Sequence, residues 1–99
     1  MAKTQWIEGK KYDFNQKNVD NSPDEDGVYG LVRGQQETIV YIGQGNIRDR
    51  LKSHFRGDNP CITREKPTEY YREVCDDPEA REKELLDSYS TLCNKKAGG

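Results

Sequence analysis

Most of the chemistry open to this 99-residue chain sits in five side chains: Tyr29, Tyr41, Arg50, His54 and Glu82. Glu82 lies in a helical pattern. At about 100° per residue, Leu85, Leu86, Tyr89, Leu92 and Cys93 all fall within about 80° of its direction, so its carboxylate points with the apolar face. Burying an unpaired carboxylate costs several kcal/mol, whereas Glu84 on the far side carries the same charge in water at no such cost. A partner for Glu82 is therefore implied, either an arginine in a structural ion pair or a metal ion in a cleft, where the carboxyl can also serve as a catalytic acid. Arg50 and His54 stand four residues apart on the edge of a stripe formed by Ile47, Leu51 and Phe55. A guanidinium binds two phosphate oxygens at once and stays protonated, and an imidazole titrates near neutrality. A lone histidine is also a common structural residue. Tyr29 and Tyr41 sit on predicted strands, where packing alone explains a tyrosine.

These residues need a scaffold, and the composition bounds it. The chain is 31% apolar and 34% charged, which allows one small domain with a concentrated core. No stretch approaches the roughly 18 apolar residues of a membrane span, and the first residues lack the apolar run of a signal peptide. Cys61, Cys75 and Cys93 make an odd, widely spaced set that fits a reducing compartment better than a disulfide framework. A soluble, cytoplasmic protein with no membrane partner is expected. The net charge is −2, which argues against holding nucleic acid by bulk attraction alone. Residues 27–74, however, carry eight basic and six acidic side chains, while residues 1–26 and 75–99 each carry four and six. Within the middle stretch, residues 46–56 hold Arg48, Arg50, Lys52 and Arg56 against Asp49, a formal +3. That patch suits phosphate, and a solvated basic helix is its plain alternative.

Residues 1–26 show no period and end in the turn-rich run NSPDED, so they read as an irregular or partly ordered arm. GVYGLV at 27–32 and TIVYI at 38–42 predict an antiparallel hairpin across the polar RGQQE. Gly43-Gln44-Gly45 should break the second strand, Asn46 should cap a helix, and that helix should stop near Gly57. Residues 57–67, with two prolines, read as a loop, and TEYYREVC at 68–75 as a third strand. Asp77 and Pro78 open a second helix, expected to carry Leu85 through Cys93 on one face before fraying into a disordered tail at 95–99. The expected fold is α+β, a small three-stranded antiparallel sheet flanked by helices.

Gly27-Val28-Tyr29 and, after eleven intervening residues, Tyr41-Ile42-Gly43 resemble the paired signature of the GIY-YIG endonuclease superfamily. Val28 stands where the first tripeptide usually has Ile. The stretch YIGQGNIRDRLKSHF is similar to the family's second strand, glycine turn and first helix, with Arg50 on its arginine and His54 on its His or Tyr. Glu82 falls on the metal-binding glutamate and Asn94 on an asparagine near the end of the domain. The resemblance covers residues 27–94, and its short motifs are specific in combination.

The resemblance implies a GIY-YIG-like catalytic domain that hydrolyses DNA phosphodiester bonds with one Mg²⁺ or Mn²⁺ ion. A hard cation of this kind uses one or two carboxylates plus water and substrate phosphate, so a solitary Glu82 suffices. Arg50 then offsets charge on the phosphate, Tyr29 or His54 takes the proton of the attacking water, and Tyr41 helps orient them. Arg48, Lys52, Arg56 and Asn94 are the expected substrate contacts. A free tyrosine titrates near pH 10, so Tyr29 acts as a base only if Arg50 or another cation favours its phenolate. Family nucleases usually carry a separate targeting module. Here 26 residues precede the matched stretch and five follow Asn94, so a separate DNA-targeting protein or subunit is an expected partner. The competing expectation is a non-catalytic module of the same fold that binds nucleic acid or a protein partner through the basic helix.

Overall fold

The polar chain folds by wrapping its few apolar side chains around one antiparallel sheet. A computed structural model describes residues 10–34 and 38–94. In chain order the elements are β1 (Tyr12–Asp13), α1 (Gln16–Asp20), β2 (Asp26–Arg33), β3 (Thr38–Asn46), α2 (Ile47–Phe55), α3 (Pro60–Glu65), β4 (Glu69–Val74) and α4 (Pro78–Ser88). The fold is α+β, and the sheet has four strands in the order β1-β4-β2-β3, not three. The added edge strand comes from the arm, where Tyr12 pairs with Tyr70 and Asp13 with Glu69. Two residues are too few to show an alternating pattern, which is why the sequence hides this strand. Trp6 and the tail at 95–99 lie outside the described residues.

Alternation along the strands divides the core in two. One face gathers Tyr29, Leu31, Val40 and Tyr70 with Val19, Ile47, Leu51 and Ile62 of α1, α2 and α3. The other packs Val28, Val32, Ile39 and Ile42 against Leu85 of α4. Among the described residues no helix is long and apolar enough to cross a membrane.

Several local expectations change. Gly43-Gln44-Gly45 does not break the second strand, since β3 continues to Asn46 and pairs Gly43 with Tyr29, Gln44 with Val28 and Gly45 with Gly27. The 57–67 loop contains α3, with the Asn59 side chain accepting from the N–H groups of Cys61 and Ile62 and Pro60 at the first helical position. Asn-Pro here is a helix start rather than a breaker. Asp77 caps α4 through the N–H of Ala80, but the helix ends at Ser88 with Tyr89 extended, so Leu92 and Cys93 are not on it. Instead the chain runs along the open edge of β3, with Leu92 N–H donating to the Ile39 carbonyl and Cys93 N–H to that of Val40. The pairing occupies carbonyls of β3 that would otherwise stand open at the sheet edge.

The cysteine expectation is also corrected. Cys61 and Cys93 form a disulfide across 32 residues of sequence, and Cys75 remains free. Wide spacing misled because α3 and the 92–94 strap both lie against β3, which sets the two Cα atoms 5.7 Å apart.

Candidate active site

At the end of the sheet where β2 begins and β3 finishes, two glycines let large side chains lie flat on the backbone. A Cβ on Gly43 would overlap the hydroxyl and ring of Tyr29 and stand 2.8 Å from the Tyr41 ring. A Cβ on Gly45 would make ordinary contact with Cγ of Arg50 at 3.4 Å, but the φ of +128° there is one that residues with side chains rarely adopt. Gly43 is thus the floor beneath Tyr29 and Gly45 the floor beneath the Arg50 stem. The same two residues look like strand breakers in the sequence.

α2 supplies the wall. Asn46 caps it by accepting from the N–H of Asp49 at 3.0 Å, and its inward face buries Ile47, Leu51 and His54. Phe55, expected in this stripe, is 39% exposed and meets Phe14 of the arm edge to face. His54 packs against both tyrosine rings, with centroids 5.5 Å from Tyr29 and 5.2 Å from Tyr41. Its Nε2 lies 2.7 Å from the Tyr29 hydroxyl. Its Nδ1 lies 2.9 Å from Oδ1 of Asp58, a residue the sequence reading did not single out.

Burial sets the protonation of this cluster. Tyr29 is 0% exposed. That burial and the neighbouring Tyr41 push its hydroxyl well above the usual phenol range, against the pull of Arg50. Burial thus favours the protonated form of the Tyr29 hydroxyl. Burial pushes His54 below the ordinary imidazole value, with Arg50 acting in the same sense and Asp58 in the opposite one. Arg50 is itself exposed, and the Tyr29 hydroxyl beside it strengthens its hold on its proton.

Glu82 reaches the same end of the molecule from α4. It is half-buried, and burial together with Glu79 raises its carboxyl above the usual range, while the charge of Arg50 lowers it. No described residue lies within ion-pair or hydrogen-bond distance of it. The deeply buried carboxylate of this helix interface is instead Glu73, held by Arg81. Glu82 opens into a groove of about 720 Å³ that runs along α4 past Tyr89 to Asn94. Among the described residues no three His, Cys, Asp or Glu side chains are grouped to hold a metal ion. A cation on Glu82 would therefore draw its remaining ligands from water and substrate, as Mg²⁺ commonly does.

The expected substrate contacts divide. Arg48 donates through Nε to the carbonyl of Ser22 at 2.9 Å and stands 4.0 Å from Asp24, while Lys52 stands 3.9 Å from Asp20. Both lie on the side of α2 that faces the arm, and residues two apart on a helix point to different sides. Arg50 alone of the three turns toward Tyr29. Arg56 ends the helix as its C-cap and is exposed. Asn94 uses both ends of its carboxamide on one strand residue, with Oδ1 accepting from Ile42 N–H and Nδ2 donating to the Ile42 carbonyl, each at 2.8 Å. In this arrangement it extends the sheet like a main-chain amide, next to Tyr41.

A protein-family model described as a domain of unknown function (DUF7508) matches residues 2–91. No curated protein and no solved structure matches the chain.

Proposed function

We propose that this chain, which belongs to the DUF7508 family, is a GIY-YIG-type nuclease that hydrolyses DNA phosphodiester bonds with the help of one Mg²⁺ or Mn²⁺ ion. The observation that supports this best is one convergence. An exposed arginine and a hydrogen-bonded tyrosine and histidine meet at one end of the sheet, and Arg50 is close enough to act on the charge of Glu82, which has no partner among the described residues. A purely structural carboxylate at that position would have found a cation within the protein, as Glu73 did.

Glu82 is the residue that would hold the ion, whose charge offsets that of the phosphate when bound. Arg50 grips two phosphate oxygens through its planar fork, and its exposure leaves it open to a large substrate. Tyr29 and His54 act in series rather than as alternatives. The hydroxyl of Tyr29 donates to Nε2 of His54, so its oxygen lone pairs are the part that accepts a proton from water. As water yields a proton to the Tyr29 oxygen, Tyr29 yields its own to His54, and no free phenolate forms. Tyr41 holds the edge of the imidazole and keeps it on Tyr29.

The full burial of Tyr29 is what favours the second candidate function, a non-catalytic module that binds nucleic acid through α2. Incubation of the purified protein with Mg²⁺ or Mn²⁺ and supercoiled, branched and single-stranded DNA separates the two. Nicking is expected, with a loss of about 10²-fold or more in Glu82→Ala. Nicking that survives that change unaltered rules out the metal assignment. Salt-sensitive binding without any cleavage leaves the binding module.

A further inference from the structure

We propose that Asp58 is a positioning residue of this site, fixing the single proton of a neutral His54 on Nδ1 so that Nε2 is kept as the acceptor for the Tyr29 hydroxyl. Its catalytic consequence rests on the nuclease function proposed above, whereas its geometric content stands without it.

The placement of Asp58 follows from how α2 ends. Gly57 adopts φ +93°, its N–H donates to the His54 carbonyl at 3.1 Å, and the N–H of Asp58 reaches back to the Ser53 carbonyl at 3.2 Å. This pair of bonds is the Schellman ending, which needs a left-handed residue and so favours glycine. Asn59 then caps α3 at once. Asp58 is thus held between two helix termini, and its carboxylate falls under the imidazole one turn earlier, 2.9 Å from Nδ1.

The direction of the proton follows from donor arithmetic. An ionised carboxylate only accepts, and a neutral imidazole has one N–H and one bare nitrogen. The His54 side chain is 2% exposed while that of Asp58 is 42% exposed, so the carboxylate keeps its charge in contact with water and the ring does not. Nδ1–H donates to Asp58, Nε2 is left bare, and the Tyr29 hydroxyl 2.7 Å away must donate to it. The opposite tautomer would set a bare Nδ1 against a carboxylate oxygen, two acceptors in contact. The groups facing the ring are Tyr29 from β2, Tyr41 from β3, Arg50 from α2 and Asp58 from the turn. Of these only Asp58 is an anion. In the reaction the Tyr29 O–H bond breaks as an N–H bond forms on Nε2. The imidazolium then faces the Asp58 carboxylate and, once the P–O bond to the leaving oxygen breaks, returns its proton to the Tyr29 oxygen, while the proton that Tyr29 took from water passes to the leaving oxygen.

His54 is the sole histidine of the chain, so two-bond ¹H–¹⁵N correlation spectra of the full-length protein report on it without assignment. In the wild type at neutral pH, protonation on Nδ1 is expected. In Asp58→Ala, protonation should move toward Nε2, and in both Asp58→Ala and Asp58→Asn the ring should titrate at lower pH because an anion is lost. Asp58→Asn keeps an acceptor in place and guards against a folding defect. In nicking assays the acid limb of the pH profile should move to lower pH, and the plateau should fall by about 10²-fold in Asp58→Ala. A wild-type ring protonated on Nε2, or an unchanged tautomer and titration in Asp58→Ala, overturns the proposal. The expected tautomer change in a protein that cuts no DNA upholds the positioning role and sinks the nuclease function.

Discussion

Two carboxylates reach the region between α4 and the sheet, and the molecule treats them in opposite ways. Glu73, on β4, is 3% exposed and receives Arg81 on both oxygens, at 2.7 and 3.1 Å. Its charge is balanced inside the protein, and everything about it is explained by folding. Glu82, on α4, is only half-buried, yet it has no partner among the described residues and is left beside Glu79 and within range of Arg50. Among the described residues only the more distant charge of Arg50 acts against its own. The difference teaches that a buried acid alone is no evidence of function, because the more buried of the two is the structural one. What marks a site is a charge kept partly out of water where an internal partner was available to the fold and was not used.

The contrast can be broken hardest at its closed end. Arg81→Met keeps the apolar stem of the arginine but takes its cation away from the buried Glu73, which should cost about 3–5 kcal/mol in urea denaturation. Adding Glu73→Gln removes the carboxylate charge as well and should restore most of that loss. DNA nicking per folded molecule should be unchanged in both, since the pair does not touch the Tyr29 cluster. A stability change no larger than that of a surface substitution in Arg81→Met would show that Glu73 is not closed by Arg81, and the comparison with Glu82 would lose its reference.

A second break acts on the strap along β3. Cys93→Ser opens the loop of 32 residues closed by the disulfide, and the chain-entropy relation for a loop of that length gives a loss of about 3 to 4 kcal/mol. Asn94, next to the strap's disulfide, pairs with Ile42 between Tyr41 and Gly43. The Tyr41 edge of the cluster should therefore loosen before Tyr29 and His54 on the far side of it. Hydrogen exchange at Ile42 and Gly43 against that at Tyr29 reads this order. Faster exchange at Tyr29 than at Ile42 in Cys93→Ser would show that the strap does not bear on the site in this way.

The sequence made the two central strands, both α2 ends and the start of α4 legible, because each carries a local signal: alternating β-branched residues, an Asn N-cap, Gly57 past the last turn, and Asp77-Pro78. Arg50 and His54 were legible as a pair through their spacing on α2, and Tyr29 joined them only through the resemblance to the GIY-YIG signature. The misses share one physical cause, which is that they depend on what the chain meets far away. β1 is a strand, and residues 92–94 run along β3, only because a sheet edge awaits each of them, Cys61 and Cys93 meet only because both elements lie against β3, and Arg48 and Lys52 face the arm only because α1 packs beside α2. Gly43 and Gly45 suggested a break because glycine weakens a strand in isolation, whereas here a ring and a long stem lie over them. Asp58 had a local signal that went unused, an acid just past a C-terminal glycine and four residues after a histidine.

The smallest expected effect sharpens the open end of the comparison. Glu82 has its proton affinity raised by folding, so between its unfolded and folded pKa values the native state binds more protons than the unfolded one. Stability then falls as pH rises through that window, and the penalty is fully present above the folded value and absent below the unfolded one. Glu82→Gln should accordingly be slightly more stable than wild type at pH 7, by an amount within about 0.5 kcal/mol, as for an ordinary surface change. Near pH 3 the two should melt alike. Divalent ion reverses the ranking. Mg²⁺ or Mn²⁺ at ten times its dissociation constant should stabilise the wild type by about 1.4 kcal/mol and leave Glu82→Gln unmoved. Thermal melts at two pH values with and without the ion measure all of this. Glu73→Gln paired with Arg81→Met leaves Glu82 in place and should keep the full ion response, since the Glu73 charge is already met by Arg81. An ion that stabilises wild type and Glu82→Gln equally binds elsewhere, and Glu82 would then be no more a site than Glu73 is.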